Sequence, residues 1–186
     1  MYPPGQENSA PCVLDIEASG FGRASYPIEI GYVLPDSRAV CMLVQPAPAW
    51  THWDAAAEAV HGIPRATLLR LGRPIAEVAA RLNDDLFGRT VYCDGWAHDY
   101  PWLAALFEEA GCSPRFTLAS AAQWLDESQL PLLHDAARAA RAELGLVRHR
   151  ASNDARALQA ALMALASPQT QGAAPQMSLE TRVSRM

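Results

Sequence analysis

The chain contains no lysine; all fifteen of its basic residues are arginine. That absence excludes a P-loop lysine, a Schiff base and a lysine general base. Arginine is then the only strong cation available to a phosphate, and its planar fork suits two-pronged contacts. Long apolar runs are also missing. None approaches the ~20 residues that cross a bilayer, so no membrane helix is expected. Met1 to Ala10 is polar, with no basic start and no apolar stretch, so no signal peptide is read there and a cytoplasmic location is expected. Cys12, Cys41, Cys93 and Cys112 form no C-x-x-C pair, which removes zinc-ribbon and thioredoxin-like readings. They are expected to be reduced and mostly buried. A surplus of positive charge is missing as well: the formal net charge is −5. Proteins that hold long duplexes by charge are usually basic, so a nucleic-acid partner would be gripped over a few nucleotides, with metal ions adding positive charge.

What remains is an ordinary globular composition. The 186 residues are half apolar and 19% charged, enough for one domain with a sizeable core. There is no internal repeat. Residues 1–10 read as an irregular lead, 11–166 as the folded domain, and 167–186, rich in Ser, Gln, Gly and Pro without an apolar period, as a disordered or loosely packed tail. Strands are expected at 11–17, 27–34 and 39–45, the last two joined by a turn at Pro35-Asp36-Ser37. A short helix over 54–60 ends at His61-Gly62. Ile75, Val78, Ala79, Leu82 and Leu86 mark one face of a helix over 74–87. A strand at 89–93, a helix over 99–110 stopping at Gly111, a weak strand at 116–119 and helices over 130–144 and 151–166 follow. Strands first, then strands interleaved with helices, imply an α/β fold with a mixed sheet covered by helices.

Several acidic residues interrupt otherwise apolar surroundings. Asp15 and Glu17 lie two apart in the first strand, so both point to one face. Two carboxylates on a buried face repel each other unless something positive lies between them, and the strand holds no arginine. A hard divalent cation, which takes oxygen ligands, answers that need; a solvated strand end is the simpler alternative. Asp99 opens the helix after the apolar strand, where it could cap the helix, and Pro101 suits its first turn. Asp154 follows His149 by five residues, a rotation of ~500°, so the two do not share a helical face. With a helix starting at Ala151, His149 lies on the preceding loop and Asp154 in the first turn, where the helix dipole also favours it.

Together these residues give a D-x-E on the first strand, an Asp before a mid-chain helix, and His149-x-Ala-x-x-Asp154 opening the last helix. In this the chain resembles the DEDD exonucleases of the histidine subtype, which include ribonuclease T, oligoribonuclease and polymerase proofreading subunits. The resemblance runs from about Val13 to Leu165. Ala18-Ser19-Gly20 after the Glu and Ala59-Val60-His61-Gly62-Ile63 add to it. The second motif departs: Gly95 and His98 stand where the family tends to have Asn and an aromatic residue. Asp94 is therefore a rival to Asp99, which the following Tyr100-Pro101-Trp102-Leu103 favours.

The resemblance implies a ribonuclease H-like fold, a five-stranded mixed sheet flanked by helices with the first strand central. It implies 3′→5′ exonuclease activity on the 3′ ends of single-stranded RNA or DNA, or on short oligonucleotides, by two-metal hydrolysis with Mg²⁺ or Mn²⁺ that releases nucleoside 5′-monophosphates. Asp15, Glu17, Asp99 and Asp154 would hold the metals and His149 would be the general base. Ser19, Gly20, Phe21 and His61 would meet the substrate, with Phe21 as a stacking platform. Trp96, Tyr100 and Trp102 cluster near Asp99, with at least one expected in the core. Arg148 and Arg150 could contact phosphate. Relatives of this size often form homodimers. The alternative is a catalytically silent version of the fold that binds nucleic acid or serves assembly.

Overall fold

The structure, a computed structural model, describes residues 9–166. Most of the expected N-terminal lead and the whole expected tail lie outside the described residues. Five strands form one sheet: β1 (Cys12–Ala18), β2 (Pro27–Val33), β3 (Ala39–Leu43), β4 (Thr90–Cys93) and β5 (Thr117–Ser120). Their order is β3-β2-β1-β4-β5. The first three are antiparallel neighbours, and β4 and β5 run parallel to β1. β1 is central, as the resemblance implied. All seven residues of β2 are buried, because helices cover both faces of the sheet there.

Alternation along β1 divides its side chains between two layers. Leu14 and Ile16 join Ile30, Tyr32, Val78, Leu82, Leu106 and Phe107 in the larger core. That core lies under α3 (Ile75–Asp85) and α4 (Trp96–Glu109). Val13 joins Val33, Tyr92, Ala155, Leu158 and Leu162 on the opposite face, under α6 (Ala151–Ala166). Asp15 and Glu17 share the alternation of Val13, so the carboxylates face the α6 side. α1 (Ala55–His61) caps on Asp54, whose carboxylate accepts the Ala56 N–H, and stops at Gly62 with φ 67°. α5 (Leu133–Glu143) packs along α6; the three residues before it, expected as helix, form a 3₁₀ turn.

One helix was not expected. α2 (Arg65–Leu71) buries only Leu68, so it carries no apolar period for a sequence reading to detect. The four cysteines are free as expected, but only Cys12 and Cys93 are buried; Cys41 and Cys112 are exposed. Among the described residues no helix is long and apolar enough to cross a membrane.

Gly31 positions α6. A Cβ added there would lie 2.0 Å from the Ser152 backbone nitrogen and 2.2 Å from the Ala151 carbonyl carbon. Only glycine allows the first turn of α6 to rest directly on β2. That contact brings the start of α6 beside the Asp15–Glu17 end of β1, since Gly31 pairs with Asp15 across the strands.

Candidate active site

Four carboxylates from three elements converge. The Asp15 carboxyl is pushed well above the usual range, first by burial and then by the charges of Asp99, Glu17, Asp94 and Asp154. Glu17 rises to about 7 through burial, with Asp154 and Glu29 adding to it. Asp99 also rises to about 7, mainly through burial. Like charges at low dielectric raise one another's pKa until a cation or protons neutralise them.

Asp99 is not at the start of its helix. α4 begins at Trp96, and the Gly95 carbonyl accepts the N–H groups of both His98 and Asp99. The apolar Trp96 and Ala97 extend the helix by a turn, so Asp99 ends the first turn and Pro101 falls in the second. Asp99 is therefore not the cap. Its side chain is 3% exposed and Oδ2 has no hydrogen-bond partner. The rival Asp94 is exposed and lines the cleft, while Asp99 is buried and does not line it.

His149 and Asp154 stand as the spacing required, one on the loop and one in the first turn of α6. His149 has φ 60°, a left-handed conformation uncommon outside glycine. Asp154 Oδ2 accepts the His149 N–H at 2.6 Å and the Arg150 N–H at 3.3 Å. Its Oδ1 accepts from Arg141 on α5, at 2.6 Å from Nη2 and 3.0 Å from Nε. Ligand atoms of Glu17, His149 and Asp154 all lie within 4.8 Å of one another. Burial, followed by the nearby Arg148, lowers the His149 pKa and keeps the ring neutral near pH 7.

These groups line a cleft of about 420 Å³. Asp15, Glu17, Asp94, His149 and Asp154 form its polar side; Phe21, Val60, Trp102 and Leu158 form its apolar side. Phe21 is 69% exposed, so it is not a core residue. It meets His98 edge-on at 5.3 Å, and His98 stacks on Trp102 at 5.8 Å. Trp102 is the partly buried member of its group, and its Nε1–H donates to Ser25 Oγ at 2.7 Å. Trp96 and Tyr100 stack on each other and are exposed. His61 lines the cleft and is buried; its Nδ1 accepts the Ile63 N–H and its Nε2 has no partner.

Ser19 is turned inward rather than toward a substrate. It is fully buried; its hydroxyl accepts the Tyr26 N–H and lies 3.3 Å from His52 Nδ1. Gly20 lines the cleft with φ +146°, and a Cβ there would come within 2.7 Å of His52 and Asp54. Arg150 does not reach out to a phosphate through its fork. It grips Glu29, with Nη2 2.8 Å from Oε1. Arg148 lines the cleft and makes no ion pair among the described residues.

Two residues at this site escape the sequence reading. Glu29 interrupts an apolar strand just as Asp15 and Glu17 do, and that interruption was a usable signal. Arg141 carries no signal, because it approaches Asp154 from another helix.

The donor set suits hard divalent cations. It is rich in carboxylate oxygen, burial and neighbouring charge disfavour the ionised forms of Asp15, Glu17 and Asp99, and Asp99 Oδ2 is buried without a partner.

No family model and no curated protein sequence matches the chain. Solved structures do. Exonuclease I of E. coli in complex with a dA16 oligonucleotide superposes with a TM-score of 0.64 at 15% identity, covering 84% of this chain and 40% of that one. A zinc-bound form of the same enzyme with single-stranded DNA gives 0.64 at 16% identity, over 85% of this chain and 40% of that one. A moderately thermophilic exonuclease I from Methylocaldum szegediense gives 0.61 at 16% identity, over 85% and 41%. The chain thus spans about two fifths of these enzymes. At such identities the likeness is one of fold, and the fold is the ribonuclease H-like one of these exonucleases.

Proposed function

We propose that the chain is a metal-dependent exonuclease that removes nucleoside 5′-monophosphates from the 3′ end of single-stranded nucleic acid. The observation that carries this reading is the convergence of Asp15, Glu17, Asp154 and His149, distant in sequence, at one cleft, with the buried Asp99 close enough for its charge to act on Asp15.

Asp15, Glu17, Asp99 and Asp154 would hold two divalent cations, Mg²⁺ or Mn²⁺, which when bound supply charge neutralisation at the phosphate and a more acidic water. The protein does the rest. His149, neutral near pH 7, accepts the proton of the attacking water at its ring nitrogen, a contribution of typically ~10²–10⁴-fold. Its backbone is held by Asp154, so the ring needs little reorganisation to act. Phe21, backed by His98 and Trp102, stacks on a base and accepts any sequence. Arg148 meets a phosphate at the cleft rim. Gly20 lets the chain pass close to the terminal nucleotide, and His61 covers it from α1. The likeness to enzymes solved with single-stranded DNA makes DNA ends the first substrate to try, with RNA in parallel.

The test is release of mononucleotides from 3′-labelled single strands, DNA and RNA, with Mg²⁺ or Mn²⁺ and an EDTA control. Binding without any release in either metal would favour a silent, nucleic-acid-binding version of the fold.

A further inference from the structure

Glu29 is fully buried on β2, paired in register with Glu17 on β1. A buried carboxylate is costly unless it is matched by charge and hydrogen bonds. This one is matched on both oxygens. Arg150 Nη2 lies 2.8 Å from Oε1, and Arg150 Nε lies 3.1 and 3.3 Å from Oε1 and Oε2. The Ala151 N–H donates to Oε2 at 2.8 Å. Residues 150 and 151 directly follow His149. The loop is therefore clamped twice: Asp154 takes the N–H groups of His149 and Arg150, and Glu29 takes the Arg150 fork and the Ala151 N–H. Between the clamps His149 holds its left-handed φ of 60°. Such strain persists only where the surroundings over-determine it.

We propose that Glu29 is a positioning residue that acts through Arg150 and Ala151 to hold His149 at the reacting centre. The inference rests on the exonuclease reading above. Glu29 has no exposure, so it touches neither substrate nor water directly. Its partner Arg150 is consequently an anchor of the loop, and Arg148 alone of the two flanking arginines is left for phosphate.

The prediction separates positioning from general stability. Glu29→Gln retains size but turns an amide toward the guanidinium, so the clamp opens. A misplacement of about 1 Å at a reacting group costs on the order of 10²-fold, and that loss is expected in kcat. KM for a short oligonucleotide stays within about a factor of two by the same geometric argument, and Mn²⁺ affinity, read by electron paramagnetic resonance, changes far less than kcat even though the charge of Glu29 reaches Glu17. In a His149→Asn background Glu29→Gln produces no further loss of kcat, because the group it positions is gone. Should Glu29→Gln fail to fold, Arg150→Lys, which keeps a cation beside Glu29 but loses the guanidinium fork, loosens the same clamp and follows the same cycle. An equal further loss in the His149→Asn background, or a loss carried by Mn²⁺ affinity, overturns the proposal while leaving an active wild-type enzyme. A wild type that releases no nucleotide overturns the exonuclease reading itself, and this inference with it.

Discussion

Arg141 on α5 and Asp154 on α6 form an ion pair in which two guanidinium N–H groups donate to one carboxylate oxygen, Nη2 at 2.6 Å and Nε at 3.0 Å. The pair places a permanent cation on a carboxylate that would also hold a metal. Arg141 therefore competes for Asp154 while shielding it from Glu17. Arg141→Met keeps the aliphatic packing and removes the charge. Mn²⁺ titration by calorimetry is expected to give tighter binding, by a few-fold to about tenfold, about 1 kcal/mol, in line with partly exposed ion pairs. Weaker binding would mean that Arg141 orients Asp154 more than it competes for it.

The raised carboxylates make a prediction about metal-free stability. Asp99 lies near 7 when folded, against an ordinary 3.8. An acid whose folded pKa is raised contributes its full stability below its unfolded pKa and loses it as pH rises through the folded one. The Asp99 penalty therefore grows between about pH 4 and about pH 7. Asp99→Asn escapes it. In EDTA the Tm of Asp99→Asn should match wild type near pH 4 and exceed it above pH 7, and Mn²⁺ should raise wild type more than the variant, which keeps the other three carboxylates. A gap independent of pH would contradict the assignment.

His149 stands in a left-handed conformation that asparagine tolerates better than alanine. His149→Asn is thus expected to fold normally. Its turnover should fall by ~10²–10⁴-fold, the usual worth of a positioned base. Mn²⁺ affinity measured in parallel should be retained; its loss would make His149 a ligand instead.

Phe21 is exposed, so its truncation should not affect folding. Phe21→Ala should weaken binding of a short single strand by roughly 1–3 kcal/mol, about 5- to 150-fold, if it stacks on a base. Fluorescence anisotropy with an unchanged dissociation constant would remove it from the substrate path.

Gly31→Ala tests the seat of α6. The new methyl would lie 2.0 Å from backbone, which cannot yield as a side chain can. The loss should reach about 3 kcal/mol, the upper part of the range for overpacking. Urea denaturation should show it, and nuclease activity should fall along with stability because His149 and Asp154 ride on the displaced turn.

Much of this protein was legible in its letters because it depends on periodicity and on local incompatibility. The alternation of β1, the amphipathic face of α3 and the stop at Gly62 each reflect a few consecutive residues, and so does the anomaly of Asp15 and Glu17 in an apolar strand. A sequence reader can also see that His149 and Asp154 bracket a helix start. Boundaries that rest on weaker local preferences moved: α4 begins a turn before Asp99, and α2, with one buried residue, left no pattern to read.

The tertiary structure decided what pairs with what. Asp154 with Arg141, and Glu29 with Arg150, join residues whose charges say nothing about their partners until the helices pack. Ser19 turned inward, where the Tyr26 N–H and His52 meet its hydroxyl, and Phe21 stayed outside, against the rings of His98 and Trp102. Sequence specifies which groups cannot remain alone at low dielectric; only folding in three dimensions selects the cation, the backbone N–H or the cleft that answers each one.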